Sequence, residues 1–306
     1  MARRSTWPAP AGQTRAACGQ PSSWPSAWPS QQRCKAREPG VRARKHLGQH
    51  FLADGNVIRK IIDAIAPRAG QHFVEIGPGR GAITLPLLAA GVRLDVIEID
   101  RDLARDLPAL VNSPDCTVHC ENALRFDFRR LAAGGERLRL AANLPYNIST
   151  PLLFHLLGQG PLFSDLHVML QKEVGERMTA PPGGKTYGRL TIAIALRCAV
   201  ERLFVIQPGS FRPPPKVDSV FLRLNPHPVP LADARTLTVA DRLVTQAFTM
   251  RRKRLSNGLR GLLTPEEIRS AGLDDGARPE ELPPAAWLRL ATVNPALAND
   301  ATALSE

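Results

Sequence analysis

Hydrophobic residues recur along this chain at spacings that change from helical to strand-like and back. From Gly55 onward, Val57, Ile58, Ile61, Ile62 and Ile65 line one helical face behind Asp54, and Pro67 follows the last of them. This predicts an amphipathic helix with an acidic N-cap and a proline stop. His72 to Ile76 is a short apolar run that opens into Gly77-Pro78-Gly79-Arg80-Gly81, and runs of strand length recur at Leu94 to Ile99, Thr117 to Cys120, Leu138 to Ala142 and Leu166 to Leu170. Helical patterns separate them. One spans Ala82 to Ala90, with Pro86 expected to kink it and Gly91 to end it, and a second starts at Arg101. A third follows Tyr146, where Ser149 is the expected cap, Pro151 lies in the first turn and Gly158 ends the helix. Strands alternating with helices predict an α/β fold, a parallel sheet covered on both faces.

The pattern then changes character. Gly188 to Val200 reads as helix and Ser219 to Leu224 as strand, before Pro226, His227, Pro228 and Pro230 interrupt both. Beyond them, Val239 to Leu263 reads as helix, Thr264-Pro265-Glu266-Glu267 is a capping box that opens another, and no strand pattern remains. The expected organisation is an extension over residues 1–40, an α/β domain over 41–227 and a small all-helical domain over 228–306.

Composition supports that division. With 306 residues and 43% hydrophobic content the chain can bury a sizeable core, and two domains are the default expectation. The longest apolar candidate, Leu190 to Val200, is interrupted by Arg197 and is too short to span a bilayer. Net charge is +12, but residues 1–45 hold nine Lys or Arg against Glu38 alone, so +8 lies there and +4 remains for the rest. Within that remainder Arg251, Arg252, Lys253 and Arg254 form a local basic run suited to a polyanion. Its plainer alternative is a solvated helix face.

Residues 1–40 carry Trp7, Trp24 and Trp28 among Ser, Pro, Gln and Arg with no periodicity, which predicts disorder. A cleaved organelle signal and a start of translation nearer Val41 are the alternatives. The five cysteines, at 18, 34, 116, 120 and 198, have neither metal-ligand spacing nor a paired framework. Reduced thiols in a cytoplasm, with no metal, are expected.

The candidate chemistry lies at strand ends. Gly77, Gly79 and Gly81 let the backbone approach a ligand at the carboxyl end of the first long strand, and Glu98, about 20 residues further on, can accept both hydroxyls of a ribose. That turn alone does not separate a nicotinamide cofactor from S-adenosylmethionine. Glu75 can anchor the turn or face a cationic group, and Asn122 can meet an adenine ring or close a turn.

Asn143-Leu144-Pro145-Tyr146 is the more telling segment. An exocyclic amine is a poor nucleophile because its lone pair is delocalised into the ring, so a catalyst must hold it with that lone pair facing the electrophile. The Asn143 amide oxygen can accept one N–H. The Leu144 carbonyl can accept the other, because Pro145 restricts Leu144 to extended geometry. Tyr146 supplies a ring for stacking. Both acceptors act more strongly as positive charge develops on the attacked nitrogen.

Four segments together, His46-Leu47-Gly48-Gln49-His50-Phe51-Leu52, Val74 to Gly79, Asn143 to Pro151 and Phe211-Arg212-Pro213-Pro214-Pro215-Lys216-Val217-Asp218-Ser219, closely resemble the KsgA-type 16S rRNA adenine dimethyltransferases over about residues 42–293. The resemblance implies a Rossmann-like methyltransferase fold with a helical C-terminal domain. It implies a cytoplasmic enzyme that dimethylates N6 of two adjacent adenosines in the 3′-terminal hairpin of 16S rRNA within the 30S subunit. S-adenosylmethionine would be the methyl donor, and neither a membrane nor an oligomer is implied. It places His50, Leu52, Gly77, Glu98, Asn122 and Asn143 at the donor, and Asn143, Leu144, Tyr146 and Phe211 at the target base. The basic run Arg251 to Arg254 would contact RNA phosphates. His50 and Asn122 depart from the family, where Asn and Asp are usual. Methylation of a DNA adenine or a protein glutamine amide, and a non-catalytic ribosome-assembly role, are the competing functions.

Overall fold

The central sheet is laid down outward from its middle. In the computed structural model, which describes residues 44, 48–132, 134–159 and 161–297, the chain enters through β1 (Phe51–Leu52) and α1 (Gly55–Ile65). Asp54 caps α1 as its sequence predicts, with Oδ1 accepting from Asn56 N at 2.9 Å and Val57 N at 3.3 Å. Ile61, Ile62 and Ile65 form the buried face. Then come β2 (His72–Ile76), α2 (Thr84–Ala89), β3 (Arg93–Ile97), α3 (Arg101–Val111), β4 (Cys116–His119), β5 (Leu138–Asn143), α4 (Ser149–Gly158) and β6 (Phe163–Gln171).

All pairings among β2 to β6 are parallel. After β2 the chain adds β3 and β4 on one side, then crosses to add β5 and β6 on the other. The strand order therefore reverses between β2 and β5, and the carboxyl ends of these two strands border the crevice where such sheets bind ligands.

The chain continues through α5 (Lys172–Met178), α6 (Arg189–Ala195), β7 (Cys198–Ile206), β8 (Phe211–Arg212) and β9 (Ser219–Pro226). β9 inserts antiparallel between β6 and β7, completing a seven-stranded sheet of order β4-β3-β2-β5-β6-β9-β7. β8 pairs antiparallel with β1, Leu52 opposite Phe211. Four helices close the chain: α7 (Ala234–Thr249), α8 (Leu255–Gly258), α9 (Pro265–Ser270) and α10 (Pro284–Val293). The Thr264 capping box forms in full, with Thr264 N donating to Glu267 Oε2 at 2.7 Å and Glu267 N to Thr264 Oγ1 at 3.2 Å.

Several expectations need correction. The helix read over Gly188 to Val200 ends at Ala195, and the chain turns into edge strand β7, whose β-branched and aromatic residues Val200, Phe204, Val205 and Ile206 suit a pleated surface. Pro86 does not sit mid-helix; it falls in the first turn of α2, where no intrahelical N–H is required. Ser149 is the first residue of α4 and Ile148 the cap; Ser149 Oγ instead donates to Tyr146 O at 3.2 Å. The single helix read over Val239 to Leu263 is broken at Met250–Arg254. The break folds α8 back onto α7 so closely that a Cβ on Gly258 would lie 3.2 Å from Ala247 Cα.

Trp287 is buried at the centre of the helical part, among Val239, Leu243, Leu259 and Ile268. That core also takes in Tyr187, Ile192 and Leu196 from the segment around α6. The described residues belong to one compact unit, Arg42–Glu306, and the expectation of disorder over residues 1–40 lies outside them.

Candidate active site

The β2/β5 crevice opens into a cleft bordered by the ends of β1, β2, β3 and β5. The β2–α2 turn forms its floor. Gly77 and Gly79 both have positive φ, 66° and 56°, and a Cβ on Gly79 would meet Phe51 Cδ1 at 2.9 Å. Glycine there admits both the turn and the Phe51 ring. Two buried carboxyls line this floor, Glu75 at 2% exposure and Glu98 at 5%, and Asp100, 1% exposed, follows two residues after Glu98 without lining the cleft.

Each acid is held by hydrogen bonds from its neighbours. Thr84 Oγ1 donates to Glu75 Oε2 at 2.6 Å. Glu98 accepts from Asp100 N at 2.9 Å and Gly79 N at 3.3 Å. Asp100 receives Gln49 Nε2 at 3.0 Å and pairs with Arg44 at 3.4 Å. Burial pushes the Glu75 carboxyl up to about 8, the bond from Thr84 opposes this, and the Glu98 charge adds to it. Burial also raises Glu98, against the bonds from the Asp100 and Gly79 amides. Carboxyls at Glu75 and Glu98 beside the turn suit a ligand carrying hydroxyls and a cationic group better than a pyrophosphate, which favours S-adenosylmethionine over a nicotinamide dinucleotide.

The opposite wall is the end of β5. Asn143 Nδ2 donates to His50 O at 3.0 Å, which fixes the amide and leaves its oxygen as an acceptor at the cleft. Leu144 N donates to Met169 O at 3.0 Å, and this orients the Leu144–Pro145 peptide. Tyr146 O–H shares a 2.7 Å hydrogen bond with Ser219 Oγ, and burial raises the phenol despite that bond. The His50 ring lies over Tyr146 with centroids 5.7 Å apart and planes 28° from parallel.

His50, Leu52, Gly77, Glu98, Asn122, Asn143, Leu144 and Tyr146 therefore border one cleft. Asn122 uses its Oδ1 to accept Leu124 N at 3.0 Å, closing a turn, while still lining the cleft. Phe211 does not join them. It is 0% exposed, in a buried cluster with Leu52, Phe73 and Phe221.

The basic run also differs from expectation, since it occupies the turn between α7 and α8 and not a helix face. Arg251 is committed, donating to Glu280 at 2.5 Å and Gly184 O at 3.1 Å, whereas Arg252, Lys253 and Arg254 are exposed. Sequence reasoning missed Gln49 and Ser219 as supports; both lie inside the motifs that carry the family resemblance, which was the available signal. Arg44 was missed as well. No helix among the described residues is long and apolar enough to cross a membrane.

Fold and cleft together define the class: a Rossmann-like methyltransferase with a helical C-terminal part. The family model described as ribosomal RNA adenine dimethylase matches residues 40–294, and the chain belongs to that family. It is 51% identical over 251 residues to the ribosomal RNA small subunit methyltransferase A of Pseudomonas aeruginosa, covering 82% of this chain and 94% of that one. Against the protein of the same name from Nitrosococcus oceani it is 50% identical over 244 residues, covering 79% and 92%. Among solved structures, a dimethyladenosine transferase from Plasmodium falciparum is similar at TM-score 0.67 and 26% identity, covering 79% of this chain and 96% of that one. The 23S rRNA methyltransferase ErmE is similar at TM-score 0.63 and 25% identity, covering 79% and 98%. The chain is thus an enzyme of the rRNA adenine dimethyltransferase type.

Proposed function

We propose that this enzyme transfers methyl groups from S-adenosylmethionine to N6 of two adjacent adenosines in the 3′-terminal hairpin of 16S rRNA, acting on the small subunit in the cytoplasm. The observation that carries the reading is the Asn143 Nδ2 to His50 O bond, which commits the amide nitrogen and leaves the oxygen as the acceptor of a side chain that lines the cleft together with Leu144. Two acceptors at that spot suit a planar NH2, and their hold tightens as the nitrogen gains positive charge. Bound in the acidic half, S-adenosylmethionine would supply a methyl group on a positively charged sulfur. Glu98 would accept its ribose hydroxyls, Glu75 would face the cationic end and the Gly77 turn would allow close backbone approach. Tyr146 backs the base. The helical part, with exposed Arg252, Lys253 and Arg254, would add sequence-independent phosphate contacts.

The test is incubation of the purified protein with methyl-labelled S-adenosylmethionine and small subunits that lack the modification. Label recovered as N6,N6-dimethyladenosine supports the reading. Label in protein, or binding to subunits without label, refutes it.

A further inference from the structure

The amino-acid end of a sulfonium donor carries an ammonium and a carboxylate. In the function proposed above Glu98 meets the ribose and Glu75 the ammonium, and no residue yet meets the carboxylate. That group would enter a cleft lined by the carboxyls of Glu75, Glu98 and Glu121, so it needs a cation close by. Among the described residues that line the cleft, Arg80 is the one lysine or arginine.

We propose that the Arg80 guanidinium binds the carboxylate of the methyl donor. This rests on S-adenosylmethionine being the donor, and it assigns a further binding residue to that site. Ammonium and carboxylate hang from one carbon atom, so their two partners must reach the same end of the cleft. Glu75 stands two residues before Gly77, where the turn begins, and Arg80 sits in the same turn. Gly81 N donates to Pro78 O at 2.9 Å to close it, and Gly79 and Gly81, at φ 56° and 77°, flank the arginine. Gly79 N also donates to Glu98 Oε2 at 3.3 Å, which ties the turn to the ribose acid.

An aromatic ring places the guanidinium. It lies 5.0 Å from the centre of the Phe51 ring, and that ring presses on Gly79, where a Cβ would come within 2.9 Å of it. Stacking uses the face of a guanidinium, whereas a carboxylate is met by N–H groups in its plane, so the two contacts are compatible. A phosphate of the RNA strand is the competing anion, because Arg80 is exposed. Its place in the turn between Gly79 and Gly81 favours the donor.

The experiment is calorimetry on wild type, Arg80→Ala and Arg80→Lys with two ligands, S-adenosylmethionine and its decarboxylated form. The second keeps the adenosine, the sulfonium and the amine and lacks only the carboxylate. Wild type should prefer the intact donor roughly 10-fold, the low end for a charge-assisted hydrogen bond because an exposed arginine is screened. Arg80→Ala should lose that preference, binding the donor roughly 10-fold more weakly and the decarboxylated form within about two-fold of wild type. Arg80→Lys, with the charge but without the planar fork, should fall between them. Both ligands meet the same preparation, so partial unfolding of a variant changes the stoichiometry and not the ratio of affinities. An unchanged ratio in Arg80→Ala overturns the proposal, whether both affinities fall together or neither falls. A variant that keeps donor affinity but flattens the salt dependence of subunit binding overturns it too, and gives the arginine to an RNA phosphate. Wild type that binds both ligands equally well refutes the Arg80 assignment alone, whereas wild type that binds neither shows that the donor reading itself has failed.

Discussion

The two halves of the cleft are built in opposite ways. On the proposed donor side the shape comes from backbone: glycines at φ 66° and 56° press the turn down, and buried Glu98 and Asp100 each make two or more bonds to neighbours. On the proposed target side two side chains each hang from one tether, Asn143 on His50 O and Tyr146 on Ser219. A ligand of constant shape suits a rigid mould, whereas a base that must swing in and out needs walls that yield. The contrast implies that target-side changes act on turnover and donor-side changes on affinity. Asn143→Ala puts this to its hardest trial. It removes the proposed amine acceptor, so kcat should fall about 10²- to 10³-fold, the usual consequence of deleting one group that acts on transition-state charge. Subunit binding, measured by filter retention, should hardly change, and a variant that turns over normally ends the role given to Asn143.

Glu98→Gln is the matching donor-side change. Losing a charged acceptor of ribose hydroxyls should weaken S-adenosylmethionine roughly 10- to 100-fold by calorimetry, with kcat at saturating donor much less affected. Equal losses in kcat and affinity would erase the proposed division of labour.

Glu75 sharpens the donor side through pH. Its folded value, about 8, lies above the ordinary 4.5, so the folded protein holds a proton that the unfolded chain has released between those limits. This group's contribution to stability is therefore fully present below about pH 4.5 and is lost as pH rises towards 8. The slope should approach about 1.4 kcal/mol per pH unit in that window. Thermal melts of Glu75→Gln should lack this decline, so the variant gains on wild type as pH rises. Parallel melting curves for the two proteins would show that Glu75 is ionised in the fold.

Much of this was legible in the sequence. β2 and the caps at Asp54 and Thr264 could be read because each depends on residues adjacent in the chain. The cleft residues were readable because the glycine turn, Glu98 and the Asn143 segment each end a strand, and parallel strands bring their ends together. What escaped was set by distant packing. β7 is an edge strand whose partner β9 comes later in the chain, so its apolar residues looked continuous with α6. Phe211 faces inward because β8 pairs with β1, a register that composition alone does not disclose. The break after Thr249 follows from the approach of α8 to Ala247 through Gly258, although the stretch carries an unbroken helical pattern.

That break sets up the smallest expected effect, within a run of four cations that looks uniform in sequence. Arg251 bonds Glu280 and the Gly184 carbonyl, so its guanidinium holds the turn together. Arg252, Lys253 and Arg254 are exposed. Replacing those three with Ala should weaken subunit binding by a modest factor that shrinks as salt is raised. The slope of log affinity against log salt should flatten by about one for each phosphate that the variant no longer neutralises. Arg251→Ala should instead lower the melting temperature and leave the salt slope near that of wild type, because its charge is already neutralised within the protein. Were Arg251→Ala to flatten the slope as much as any one of its neighbours, the pairing with Glu280 would have to give way on the subunit, and the division of this run into one structural and three RNA-facing cations would be wrong.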